Sequence, residues 1–183
     1  MAPLSSEWLE MRDPVPAQWF ARDGKSGSLL LLPGEDAASE IGKPHFLGRR
    51  MRHPAARWTT SFVPPGKEEG SGAGLLAFAN EENFLIAGVE RTNGVPHVLV
   101  RRRDRAEDGA QGQLVASRAI GESTGPFELS MVIDDGTATI RWRPSGGSEW
   151  RELASDVDVE HMASAHSDLF AGVVVGPYAW SVR

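Results

Sequence analysis

The sequence predicts an all-β domain, two antiparallel sheets packed face to face. Three observations predict it. Apolar residues alternate with polar ones at period two along most of the chain. The dipeptides Asn93-Gly94 and Asp135-Gly136, which tolerate the positive φ of tight hairpins, sit between such runs. Twenty glycines and twelve prolines punctuate the rest, which suits many short elements rather than long helices.

In chain order, Ser28–Leu32 is the first β-rich run. Ala56–Val63 follows, with Trp58, Thr60 and Phe62 on one face. Pro64–Gly74 (PPGKEEGSGAG) has linker composition but lies between two strand signals, so it reads as a surface loop. Leu75–Ala79, Phe84–Glu90 and Val95–Val100 are the next strands, the last two joined by Asn93-Gly94. Arg101–Arg103 with Arg105, diluted by Asp104, Glu107 and Asp108, reads as a solvated hairpin end. Phe127, Leu129, Met131 and Ile133 share a face of Phe127–Asp134, and Ala138, Ile140 and Trp142 share one of Thr137–Arg143. Pro144-Ser145-Gly146-Gly147 is a looser turn into Glu149-Trp150-Arg151. Val157–Ser167 is the one stretch able to coil into a helix. Phe170–Val182 closes the chain, with Val174, Gly176, Tyr178 and Trp180 on one side. Roughly ten to thirteen strands favour two packed sheets over one open sheet.

With 183 residues and no compositional break, residues 1–183 are expected to form a single domain. A chain of that size buries about 70% of its unfolded surface, so it needs no staple. The absence of cysteine rules out disulfides and thiolate chemistry. A net charge of −6 argues against a nucleic-acid partner. The opening residues lack a signal peptide's basic and apolar segments, and no apolar run is long enough to span a bilayer. The expectation is a soluble, cytoplasmic protein with no membrane partner.

Catalytic motifs fail on context. Gly121-Glu122-Ser123-Thr124-Gly125 matches the nucleophile-elbow pattern, but that pattern needs a following helix, and here Pro126 and a strand follow. Gly70–Gly74 is followed by a strand, not by the helix a dinucleotide loop requires. The five histidines show no zinc spacing. No catalytic residue is assigned, and no cofactor is expected apart from calcium. Its candidate ligands are Asp156, Asp158 and Glu160, which point the same way on an extended chain. A solvated acidic edge is the plainer alternative, because His161 stands where the helix-loop-helix calcium pattern needs glycine. Among the six tryptophans, Trp58, Trp142 and Trp180, with Tyr178, are candidates for stacking on sugar rings. Ordinary core packing is the alternative for each.

Several phrases carry a family resemblance. Leu4–Pro14 (LSSEWLEMRDP), Gly27–Leu32 (GSLLLL) and Phe46–His53 (FLGRRMRH) occur in order. Ala73-Gly74-Leu75, Gly125-Pro126-Phe127 and Ser148-Glu149-Trp150 follow, and Phe170-Ala171-Gly172, Val175-Gly176 and Tyr178-Ala179 close the series. Together they resemble the C-terminal β-sandwich of glycoside hydrolase family 43 β-xylosidases, from about Leu4 to Ser181. Pro177 stands where that family more usually has leucine, and Gly146-Gly147-Ser148 replaces its usual aspartate turn.

The resemblance implies a concanavalin A-like jelly roll acting as a non-catalytic accessory domain of a β-xylosidase or α-L-arabinofuranosidase. Its partner would be a catalytic β-propeller in cis or in trans, whose active-site mouth it shapes. Phe170 matches the family's loop aromatic and is the residue expected to reach that pocket. Two other functions are weighed: a stand-alone lectin-like module binding oligosaccharide, and a glycoside hydrolase in its own right.

Overall fold

The computed structural model describes residues 4–12, 19–64, 66–121, 125–163 and 172–181. Thirteen strands are found among them, and no α-helix. They are β1 (Leu9–Glu10), β2 (Phe20–Arg22), β3 (Leu29–Leu31), β4 (Leu47–Arg50), β5 (Ala56–Phe62), β6 (Gly72–Asn80) and β7 (Asn83–Thr92). There follow β8 (Val95–Arg103), β9 (Gln113–Ala119), β10 (Phe127–Asp134), β11 (Thr137–Pro144), β12 (Arg151–Asp158) and β13 (Val174–Trp180). Every strand pairing is antiparallel. One sheet has seven strands in the order β1-β4-β13-β6-β7-β8-β9, the other four in the order β12-β11-β10-β5. β2 and β3 form a separate hairpin. This is the two-sheet sandwich the sequence predicts.

The turns follow from their residues. Asn93 and Gly94 have φ of 52° and 74°, and Asp135 and Gly136 have 44° and 76°, so both hairpins close with two left-handed residues. That conformation matches the twist of the strands on either side. Thr92 then faces Val95, and Asp134 faces Thr137.

Period two places the core between the sheets. Leu75, Ala77, Leu85, Ala87, Val89, Val98 and Val100 of the larger sheet meet Phe127, Leu129, Met131, Ile133, Ile140 and Trp142 of the smaller. Each large apolar side chain withdrawn from water there contributes about 1.5–3 kcal/mol. The larger sheet is also covered on its other face. Leu76, Phe84, Ile86, Tyr178 and Trp180 pack under Ala38 and Phe46, with Met11 beside them. The covering segment is tied to β13 by backbone bonds from Gly34 N–H to the Ala179 carbonyl (3.1 Å) and from Ala179 N–H to the His45 carbonyl (3.2 Å). No helix among the described residues is long and apolar enough to cross a membrane.

Three expectations need correction. Within Val157–Ser167 the described residues form no α-helix. β12 runs through Asp158, a 3-10 turn spans Glu160–Met162, and residues 164–167 lie outside the described residues. An extra residue in β12 hides the strand from the period-two pattern. Val157 faces Ala138 while Ala154 already faces Ile140, and Asp156 takes φ 53° at that bulge, which breaks the alternation. β9 is absent from the expected strands because it is an edge strand with almost every side chain exposed, so it has no buried face to set a pattern. The arginine run is not a solvated hairpin end. Arg103 is buried and donates to the carbonyls of Ala106, Asp108 and Gly109, Arg101 pairs with Glu90 at 3.0 Å, and Arg102 pairs with Asp104.

Candidate functional site: one rim of the sandwich

The β10–β11 turn, the end of β12, the β4–β5 connection and the entry to β13 meet at one rim of the sandwich. Gly136 accepts from the Val159 N–H at 2.8 Å, and Val173 accepts from the Met51 N–H at 2.8 Å. Asp158 Oδ1 accepts from the Glu160 N–H at 3.0 Å and starts the 3-10 turn. Gly136 is required twice over. Its φ is positive, and a Cβ there would lie 2.7 Å from Glu160 Cγ.

These elements enclose an open cleft of about 400 Å³. Met51, Ile133, Val159, Met162 and Val173 make its apolar floor, and Asp135 and Glu160 stand at its edge. Residues 164–171, which include Phe170, lie outside the described residues. The chain on either side of them, Ala163 and Val173, lines the cleft.

A second cleft of about 670 Å³ adjoins the first and shares Met51 with it. Arg49, Arg50, Arg52, Arg57 and His53 line it together with Glu7 and Trp58. Glu7 accepts from Arg49 and from Arg52, the latter at 3.0 Å. The Arg49 guanidinium lies 5.6 Å from the Trp8 ring centroid.

His161, on the 3-10 turn beside the apolar cleft, is half-buried. Burial lowers its pKa from the ordinary 6.5, and the nearby charge of Arg102 lowers it further, against the opposing pull of Asp104 and Asp158.

The sugar-stacking candidates divide. Trp142, Trp180 and Tyr178 are 3%, 1% and 0% exposed, so no sugar reaches their faces and all three are corrected to core side chains. Trp142 packs 5.9 Å from Phe127 between the sheets, and Tyr178 stacks 5.2 Å from Trp180 under the outer cover. Burial pushes the Tyr178 phenol up to about 12. Trp58 alone of the four keeps an accessible part, on β5 at the second cleft, while its inner side packs on the core.

The calcium candidates do not converge. Asp156 sits at the bulge with φ 53°, Asp158 turns to the Glu160 N–H and to Arg102 at 3.6 Å, and Glu160 is on the 3-10 turn. Among the described residues, no group of three or more His, Asp or Glu side chains is placed to hold a metal ion. The nucleophile-elbow pattern lies partly outside the described residues. The element after it is the strand β10, not a helix.

No motif marks the two clefts in advance. Their walls come from residues 6–9, 49–58, 133–136 and 159–163 and from Val173, which only the fold brings together.

The sequence model of the family described as "Beta xylosidase C-terminal Concanavalin A-like domain" matches residues 2–182. The fold is similar to part of a xylan β-1,4-xylosidase from Bacillus halodurans C-125, at 19% identity and a TM-score of 0.84. That likeness covers 98% of this chain and 34% of the other. A family 43 glycoside hydrolase protein from a capybara gut metagenome is similar at 18% identity and a TM-score of 0.84, covering 97% of this chain and 33% of that one. A protein from Saccharomyces cerevisiae described as functionally unknown is similar at 15% identity and a TM-score of 0.66, covering 95% of this chain and 85% of that one. These structural likenesses carry the fold, and this chain spans about a third of the length of the first two. No curated protein matches.

Proposed function

The chain belongs to the family of β-xylosidase C-terminal concanavalin A-like domains, and from that premise we propose that it packs on a catalytic β-propeller of a family 43-type glycosidase, a β-xylosidase or α-L-arabinofuranosidase. There it shapes the active-site mouth and does no hydrolysis of its own. Family membership, and a fold that matches about a third of a xylan β-1,4-xylosidase, support the accessory reading.

One observation carries the proposal. The ends of the 164–171 segment converge on an open apolar cleft at the rim. Phe170 belongs to that segment, and an aromatic ring set into a sugar pocket excludes water and limits the length of the substrate. Hydrolysis of a glycosidic bond needs an acid and a second carboxylate held at set separation across the bond. In our account the propeller supplies both.

A stand-alone sugar-binding module is the second reading. In the yeast structure this fold makes up most of the solved chain, which is compatible with a module of this size but carries nothing about sugar. The burial of Trp142, Trp180 and Tyr178 weighs against it. The test uses chromogenic xylosides and arabinosides, first with this chain alone and then with the chain added to a propeller-only family 43 enzyme. Accessory action gives no turnover alone and a changed kcat/KM in the mixture. Turnover by the chain alone, or unchanged kinetics with no complex formed, counts against it.

A further inference from the structure

The residues that make the β7–β8 turn tight also make it chemically labile. The chain has three asparagines, and Asn93 is the one followed by glycine. Asparagine is a thermolabile residue, and a following glycine presents no side chain to hinder attack by its own nitrogen. That nitrogen bonds to the asparagine Cγ, loses its proton and expels ammonia, which closes a five-membered succinimide. Water then opens the ring to aspartate or isoaspartate. An amide becomes a carboxylate, and nothing besides water is consumed. Asn93 and Gly94 are both exposed, so water reaches the pair. Asn80 is differently placed: its Oδ1 accepts from the Glu82 N–H at 2.9 Å and from the Asn83 amide at 2.8 Å.

We propose that Asn93 is a deamidation site and that Glu69 is the positioning residue that restrains it, by strapping the turn in an unreactive conformation. Three observations converge on that role. First, Asn93 is left-handed, with φ 52°, at the first central position of the turn. In a turn of this type its ψ is about +30°. The Gly94 nitrogen then lies nearly anti to Asn93 Cβ across the Cα–C bond, whereas ring closure needs the two eclipsed. Second, Glu69 Oε1 accepts from the Asn93 N–H at 2.6 Å, and Oε2 accepts from the Gly94 N–H at 3.0 Å. Turning Asn93 towards the reactive geometry breaks this pair of bonds. The negative charge beside the Gly94 nitrogen also opposes the proton loss that attack requires. Third, the loop that carries Glu69 is itself tied to β7. The Gly70 N–H donates to the Arg91 carbonyl at 2.9 Å, and Arg91 Nε donates to the Gly66 carbonyl at 3.2 Å. The stretch of linker composition thus holds a carboxylate over the hairpin. Isoaspartate would add a main-chain carbon between Thr92 and Val95, which face each other, and β7 and β8 lie inside the seven-stranded sheet.

The test is timed incubation of the intact 183-residue chain at mildly alkaline pH, with mass spectrometry of the tryptic peptide 92–101. Conversion of Asn93 is read from the mass change of amide to acid, and chromatography separates isoaspartate from aspartate. The chain unfolded in urea gives the unrestrained rate, and the native chain converts at least tenfold more slowly. Glu69→Gln, with its Tm still above the incubation temperature, converts at least fivefold faster than the native chain. Glu68→Gln, an exposed change one residue away, leaves the rate as it was. Ile140→Val, a core change in the other sheet that lowers Tm by opening the whole fold, leaves it as well. Equal rates in the native chain and Glu69→Gln overturn the restraint. A slower rate in Glu69→Gln makes the carboxylate a general base for the attack and overturns it too. The same rise in Ile140→Val assigns the effect to global opening and overturns the role of Glu69. An Asn93 that stays intact even in the unfolded chain overturns the site.

Discussion

Trp180 illustrates what one side chain does here. Its indole N–H donates to Glu90 at 3.0 Å, and the other carboxylate oxygen of Glu90 takes Arg101 at 3.0 Å. All of this lies within the sheet, with Glu90 only 5% exposed. Replacing Glu90 with alanine leaves an indole N–H and a guanidinium without their acceptor. We expect a loss of about 2–4 kcal/mol, read from the denaturant midpoint. Gly72 lies directly under the same ring, where an added Cβ would be 2.0 Å from the indole. A rigid bicycle packed in a core cannot swing aside. Gly72→Ala is therefore expected to cost about 3 kcal/mol or more, or to abolish folding. The sequence places Trp180 and Tyr178 on one face correctly and leaves their accessibility open between sugar stacking and core packing. Alternation tells which residues share a face. Whether that face is wet depends on Ala38 and Phe46, which come from another part of the chain.

At the scale of elements, the hairpins were legible because each is decided by two adjacent residues. β9 and β12 were not. One lacks a buried face, and a bulge interrupts the other. The Asn93-Gly94 turn gains a clamp that spacing does not reveal. The Glu69 carboxylate accepts both backbone N–H groups, at 2.6 and 3.0 Å, which lowers its pKa below the ordinary 4.5. A lowered carboxylate stabilises the fold fully above pH 4.5, and that contribution fades as pH falls through the folded value. Glu69→Gln should flatten this part of the acid limb of Tm against pH. His161 behaves in the same direction for a different reason. Its folded pKa lies below 6.5 because burial and Arg102 oppose its charge, so protonation works against the fold. Stability is full above pH 6.5 and declines as pH falls through the folded value. His161→Leu should remove that decline while leaving Tm at pH 8 little changed. A steeper decline in the variant would contradict this assignment.

At the scale of the molecule, both faces of the seven-stranded sheet are occupied, one by the second sheet and one by the covering segment. The rim and its two clefts lie outside both of these packed faces. The sandwich itself could be read from alternation. The rim could not, since no local pattern links Met51 to Gly136 and Val173. Because the carboxylates of Asp156, Asp158 and Glu160 do not gather, we expect neither added calcium nor a chelator to move Tm by more than about 1 °C. A single site saturated at 100 times its Kd would add about 2.7 kcal/mol, a shift far larger than that.

The central claim is that the rim built by the β4–β5 connection, the 3-10 turn and the entry to β13 is the working face. Hydrogen exchange read by mass spectrometry, on the chain alone and with the family 43 catalytic domain, tests it most directly. Our account predicts slowed exchange in peptides covering residues 47–58 and 159–175, with the β2–β3 hairpin and β9 unchanged. Protection confined to β9 or the hairpin, with the rim exchanging as it does in the free chain, would contradict it.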